Sequence, residues 1–456
     1  MSRPTAAQLA ATAATFTAIA LAGPAGCAPS ATLDGPAAEE SYAHLRTALS
    51  AYDSAGWLAG PPEFPVVGRP VVLSGPGDSV FVGFTASMPA SALRFARDGN
   101  LVAARYQVTM LVRSGTDTLA RSDRREVVRV RDFSEAANRE PRVLFQRFVL
   151  VAPGSLVLDV TVRELTARRQ ASRSFWLDTR RGLSPPLVAY RAAARRSLSE
   201  PPSALLNPRH TAYVSEPPPV VWIEDGDGPP GPVLIRIERD GVELLRDTVM
   251  LESAEGGPPT AVAALPVHLL PPGRTTLVAE RPGGGTARAV PLYIGLSPEW
   301  VFPTWEESLA RLVHALDPDT LEAWSTAPVP EQSGLWRRFQ QRTDPDAATP
   351  DNEFVARHFD RMSTANDRFD EPGRAGWETD RGEVLVKLGD PDRQRFIRPE
   401  RQDEVPRIEW EYGESLPSRG LIVFEDASDF GVFVMTSRSR AVLRRLVREQ
   451  AESTRR

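Results

Sequence analysis

The spacing of apolar positions changes along the chain, and each change marks a different kind of element. Leu9 to Ala22 carries no charge and is rich in Ala, Leu, Ile and Phe. Tyr42, Leu45, Leu49 and Tyr52 then fall on one face at helical spacing, which predicts a short helix within a Pro/Ala-rich stretch over 28–60. Beyond residue 61 the pattern becomes short alternating runs divided by turn residues. Val71-Val72-Leu73, Val80 to Phe84, Leu101 to Val112, Val127 to Val130, Phe145 to Val151 and Leu156 to Val162 read as strands. Asp98-Gly99-Asn100 and Ser114-Gly115-Thr116-Asp117 supply hairpin turns, because Gly, Asn and Asp tolerate positive φ. This spacing predicts an antiparallel β-sandwich over 61–181.

A Pro-rich linker is expected over 182–204, followed by a second all-β unit over 205–296. Val233 to Ile237, Asp240-Gly241 and Val242 to Leu251 make the clearest hairpin, and Thr275 to Ala279 pairs with Ala287 to Tyr293. Both units read as immunoglobulin-like sandwiches. Helical spacing returns over 303–345. Thr304 with Glu307 forms a capping box ahead of Trp305, Leu309, Leu312 and Leu316, and Asp317-Pro318 opens another helix. Thr349-Pro350 precedes a helix with Phe354, His358, Met362, Ala365 and Phe369 on one face. Val384, Val386 and Leu388 alternate, as do Ile408, Trp410 and Tyr412, so each predicts a strand. Leu421 to Phe424 and Val432 to Met435 are apolar on both faces and predict central strands. The fold class is therefore multidomain: two all-β sandwiches, a helical segment, and a small α+β domain over 349–440 with a basic tail over 441–456.

Composition adds location. The apolar stretch is too short and Ala-rich for a spanning helix and reads as an export signal over 1–27. It ends in Pro24-Ala25-Gly26-Cys27, and Cys27 is the only cysteine among 456 residues. A lone Cys forms neither an internal disulfide nor a cysteine metal cluster. Small residues before it resemble a lipobox, whose Cys is acylated and anchors the mature chain to a membrane. Ala20-Leu21-Ala22 offers ordinary cleavage and a soluble exported product instead. Ala28 carries no acidic retention signal, which favours the outer membrane, facing the periplasm or the cell surface. A net charge of −5 with Lys387 as the sole lysine gives no argument for nucleic acid.

Gly376-Trp377-Glu378-Thr379-Asp380-Arg381-Gly382, followed by Val384 to Leu388 and Gly389-Asp390-Pro391-Asp392, is the densest motif in the chain. Leu335 to Phe339, Arg342 to Pro345, Asp351 to Phe354 and Ala365 to Phe369 precede it. Trp410-Glu411-Tyr412, Phe424-Glu425-Asp426 and Phe430-Gly431 follow it. In that order these blocks resemble the GWxTD-domain proteins, a bacterial envelope family without an established molecular activity. The resemblance covers roughly residues 300–436. It departs from the family pattern in the polar insert Arg398 to Pro406. It implies an exported protein and a motif formed by Gly376, Trp377, Thr379, Asp380, Gly382, Gly389, Pro391 and Asp392, but no reaction.

Two readings of the chemistry stand. Asp380, Asp390 and Asp392 form an acidic cluster that could share a proton or hold a cation in a cell-envelope hydrolase or metal-dependent enzyme. The same residues suit turns that bracket a strand, Asp bonding backbone N–H groups. Trp377 fits either an exposed platform for a glycan or protein or a core side chain, and Asp380 is expected to accept backbone bonds at the start of a strand. His358 fits a hydrogen-bonded core histidine. Glu224-Asp225-Gly226-Asp227-Gly228 lacks the ligand spacing of a calcium loop and reads as a hairpin loop. Gly283-Gly284-Gly285 is followed by no Lys-Ser/Thr, no zinc-ligand pattern occurs, and no cofactor is indicated. The sequence thus favours a non-enzymatic envelope lipoprotein whose β modules present the C-terminal domain to a protein or glycan partner, with the Asp-cluster enzyme as the alternative.

Overall fold

A computed structural model describes residues 43–454 apart from 138–141, 215, 255, 297–300, 302–303, 347–348, 350–351, 370, 372–373, 399–403 and 429. The export segment and Cys27 lie outside the described residues. No described helix is long and apolar enough to cross a membrane.

Helix α1 (Ala43–Ser54) leads into nine strands: β1 (Leu58–Ala59), β2 (Val67–Ser74), β3 (Val80–Pro89), β4 (Ala96–Asp98), β5 (Leu101–Ser114), β6 (Asp117–Val130), β7 (Arg142–Val151), β8 (Leu156–Glu164) and β9 (Gln170–Leu177). A short helix α2 (Phe133–Ala137) follows β6. One antiparallel sheet has the order β1-β2-β3-β7, and the other the order β4-β5-β8-β9 with β6 also on β5. Alternation decides their inner faces. Val80, Val82, Phe84 and Met88 of β3 pack with Tyr106, Val108 and Met110 of β5 and Leu158, Val160 and Val162 of β8. Gly115 turns the β5–β6 hairpin at φ +57°, a left-handed conformation that glycine adopts without steric cost.

The second β unit contains β10 (Leu187–Ala192), β11 (Ala204–Leu206), β12 (Thr211–Tyr213), β13 (Val220–Glu224), β14 (Gly231–Arg239), β15 (Val242–Leu251), β16 (Thr260–Ala264), β17 (Gly273–Glu280) and β18 (Arg288–Gly295). Its sheets run β11-β10-β13-β16 and β12-β18-β17-β14-β15, with β12 parallel to β18. The segment 182–204, expected as a linker, instead supplies β10, the partner of both β11 and β13. Prolines at 185, 186, 201 and 202 flank that strand rather than interrupt it. The acidic run 224–228 is also not a hairpin loop. It carries the chain from β13 in one sheet to β14 in the other, and Asp225 is buried against Arg281.

Helices α3 (Trp305–Ala310), α4 (Pro318–Ser325), α5 (Val329–Thr343) and α6 (Glu353–Phe369) come next. Thr304 accepts from the Glu307 N–H and Asp317 from the Thr320 N–H, so both helix starts are capped by side chains. The strand expected over Val384 to Leu388 is helix α7 (Asp380–Leu388). Thr379 caps its start and Gly389, at φ +87°, ends it. Strands β19 (Arg393–Ile397), β20 (Arg407–Tyr412), β21 (Gly420–Glu425) and β22 (Val434–Met435) form an antiparallel sheet in sequence order. β22 is therefore an edge strand of two residues, not a central one. The basic tail is helix α8 (Ser437–Thr454), whose Leu443 and Leu446 are buried. Its arginines flank an apolar stripe that docks on β21, so it belongs to the C-terminal domain.

Candidate functional site

Gly376–Glu378 forms a single 3₁₀ turn between α6 and α7. Two glycines let backbone meet backbone there. A Cβ on Gly376 would overlap the Ala365 carbonyl of α6, and one on Gly382 would overlap the carbonyl of Gly376 itself. Gly382 is thus required for close approach rather than for positive φ. The turn is stitched by Thr379, whose hydroxyl donates to the Gly376 carbonyl at 2.7 Å and accepts from the Gly382 N–H at 3.0 Å. Asn366 on α6 accepts from the Trp377 N–H at 3.2 Å.

Trp377 is 5% exposed. Its ring lies between Arg311, whose guanidinium carbon is 5.0 Å from the ring centroid, and His314, which meets it edge-on at 5.7 Å. His314 Nε2–H donates to the Trp377 carbonyl at 3.0 Å. Arg311 also approaches Glu378 at 3.8 Å. His358 Nε2–H donates to the Arg311 carbonyl at 3.1 Å, and its ring stacks on Phe354. Burial holds His314 below its usual range and pushes His358 down to about 4, so both are neutral donors at pH 7. Burial also lowers Arg311. Arg311 and His314 escape sequence reasoning, because they stand between α3 and α4, more than 60 positions from the motif. The one hint is their place among the apolar positions Trp305, Leu309, Leu312 and Leu316.

The three candidate carboxylates serve three different partners. Asp380 does not cap its own strand or turn. It accepts from the Met435 N–H at 2.6 Å and from Arg440 at 2.8 Å, tying α7 to β22 and α8. Asp390 projects outward and pairs with Arg368 of α6 at 2.5 Å. Asp392 accepts from the N–H groups of Gly413, Glu414 and Ser415 at 2.6, 2.7 and 3.2 Å. Those bonds, that of Glu414 foremost, hold its carboxyl below the usual range. Pro391 separates the two, and Tyr412 donates to the Gly389 carbonyl at 3.0 Å. Among the described residues no group of three His, Cys, Asp or Glu side chains is placed to hold a metal ion.

Arg381, inside the motif, completes the arrangement. It lies against the rings of Phe369 and Phe433, at 5.0 and 5.1 Å, and pairs with the buried Glu371 at 3.4 Å. Asp380 and Arg381 thus join α7 to β22, α8 and α6, while Thr379 ties the turn to itself. The chain matches no protein-family model and no curated protein.

Proposed function

We propose that this protein is a non-enzymatic envelope lipoprotein of the GWxTD kind. Acylated Cys27 anchors it, two immunoglobulin-like β units act as spacers, and the C-terminal domain engages a protein or glycan partner. One observation carries the non-enzymatic part: Asp380, Asp390 and Asp392 bond in three directions, to β22 and α8, to α6, and to the turn after β20. Shared acid/base work needs two carboxyls facing one cleft. The buried Trp377 supports a motif that holds the domain together, leaving recognition to its outer surface.

The discriminating variant is Asp390→Asn, because this carboxylate is exposed and its ion pair contributes little to stability. The variant is expected to melt with wild type and to match it in assays on peptidoglycan and on unfolded protein substrate, neither being cleaved above a buffer control. Cleavage by wild type that Asp390→Asn abolishes would establish the enzyme reading. Membrane fractionation of Cys27→Ser tests the anchor separately: release from the membrane fraction is expected, and unchanged partitioning would remove the lipid from the account.

A further inference from the structure

A cavity of about 370 Å³ opens where the two β units and the end of α1 meet. Trp57, Val72, Trp176, Leu187 and Val290 give it apolar walls, and Arg69 of β2 lines it. Arg69 is 5% exposed, yet neither its Nε nor its Nη2 has a hydrogen-bond partner. No carboxylate among the described residues pairs with it. Its close polar company is the Trp57 ring, 5.9 Å from the guanidinium carbon, and His210, which burial keeps neutral. A buried cation without a counter-charge is destabilising. Elsewhere this chain satisfies comparable groups: Arg195 holds Glu224, and Arg239 donates to Gln332 and to the carbonyls of Pro271 and Pro272. At the rim Trp176 stands 83% exposed, an unusual place for so large an apolar side chain. Arg173, also on the rim, is already engaged by Asp53 at 2.5 Å and by the Trp57 carbonyl at 2.7 Å.

We propose that this cavity binds an organic carboxylate, its anionic head paired with Arg69 and its apolar body held between Trp176 and the Val72–Leu187–Val290 wall. Such a ligand supplies the counter-ion that the fold withholds and covers the exposed indole. Its volume lies within the range of small-ligand sites. Burial lowers Arg69 to about 9, so the head-group bond holds at neutral pH and weakens as pH rises through that value. The inference is independent of what the C-terminal domain does. The carboxylate could belong to a free small acid or to the C-terminus of a peptide.

Calorimetric titration of the full chain with N-acetylphenylalanine, its amide, and N-acetyl-Ala-Ala-Phe tests this. Both acids are expected to bind, and the amide about tenfold or more weakly, the loss of a charge-assisted pair. Tighter binding of the tripeptide assigns the source to a peptide terminus, and tighter binding of the single amino acid to a free acid. Arg69→Met should abolish acid binding while its unliganded melting temperature does not fall, since the variant removes an unpaired buried charge. Trp176→Ala, at an exposed position, should weaken binding with an unchanged melt, and it decides the matter if Arg69→Met fails to fold. Equal affinity for acid and amide, full affinity in Trp176→Ala, or no binding of any of the three would overturn the proposal.

Discussion

His358 and Trp377 share one neighbour, Arg311, whose carbonyl receives the His358 N–H and whose guanidinium covers the indole. This layer works only while the imidazole is neutral, because a charged ring would sit buried beside His314 and Arg361, both of which disfavour its charge. The consequence for pH has a definite sign. In the unfolded chain His358 titrates near 6.5, and in the fold near 4. Above pH 6.5 both states are neutral and the full contribution is present. Between 6.5 and 4 the unfolded chain takes up a proton that the folded one refuses, so stability falls with pH. About 3 kcal/mol is lost across that window. His358→Gln, which keeps a donor for the Arg311 carbonyl, should flatten the dependence of stability on pH between 4 and 6.5 relative to wild type. Superimposable slopes in urea titrations at several pH values would show that the imidazole is not the sensitive group.

At the scale of elements, α7 teaches most about what the sequence makes legible. Val384, Val386 and Leu388 alternate, but Leu385 is buried too, so four apolar residues of a five-residue run face the core. A run that short fits either period. The caps carry the decision: Thr379 at the start, Gly389 at the end, Asp380 and Glu383 in the first turn, and Lys387 paired with Glu383 at 2.6 Å one turn on. All of these stand in the sequence, and Thr379-Asp380 followed by Glu383 is a helix start read as a strand turn. The β units were easier, since their hairpins are set by local turn chemistry, as at Asp240-Gly241, and their strands by alternation over eight or more residues, as in β8. The partners of Trp377 and Asp380 were not legible, because tertiary contacts with Arg311, His314 and Arg440 leave no local trace. Thr379→Ala should cost about 1–2 kcal/mol, the upper range for a cap, since the hydroxyl also bonds the Gly376 carbonyl in a buried setting. Thr379→Ser should recover most of the loss. Equal denaturation midpoints for Thr379→Ala and wild type would mean that α7 is held by packing alone.

Over the whole molecule, the junction between the β units is packed as a core rather than strung on a tether. Val71, Leu73 and Phe81 of the first pack with Leu187, Ala189, Leu206 and Trp222 of the second. Arg195 crosses this seam: it donates to both Glu224 carboxylate oxygens and, at 2.8 Å, to the Ser74 carbonyl. Glu224 is raised by burial, with the hydrogen bond and charge of Arg195 acting against that rise. The second unit is joined onward as well, because one apolar cluster runs from Ile235 and Leu292 through Trp305 and Trp336 to Met362 and Trp410. Cleavage within 183–205 should accordingly be slow, with β10 shielded by both β11 and β13. Such coupling predicts a single calorimetric transition for both β units, as their shared surface makes unfolding one without the other expose a buried ion pair and an apolar seam. Arg195→Met leaves Glu224 buried without its partner, a change that costs about 3–5 kcal/mol where a buried pair is broken. Both charged groups belong to the second unit and the bond to the Ser74 carbonyl is what reaches the first, so the variant weakens the second unit's side of the seam as well as the seam itself. The transition of that variant should therefore split, the first β unit separating from a second unit still held to the helices. A single transition, lowered but undivided, would show instead that the apolar seam suffices to keep the two units cooperative without the ion pair.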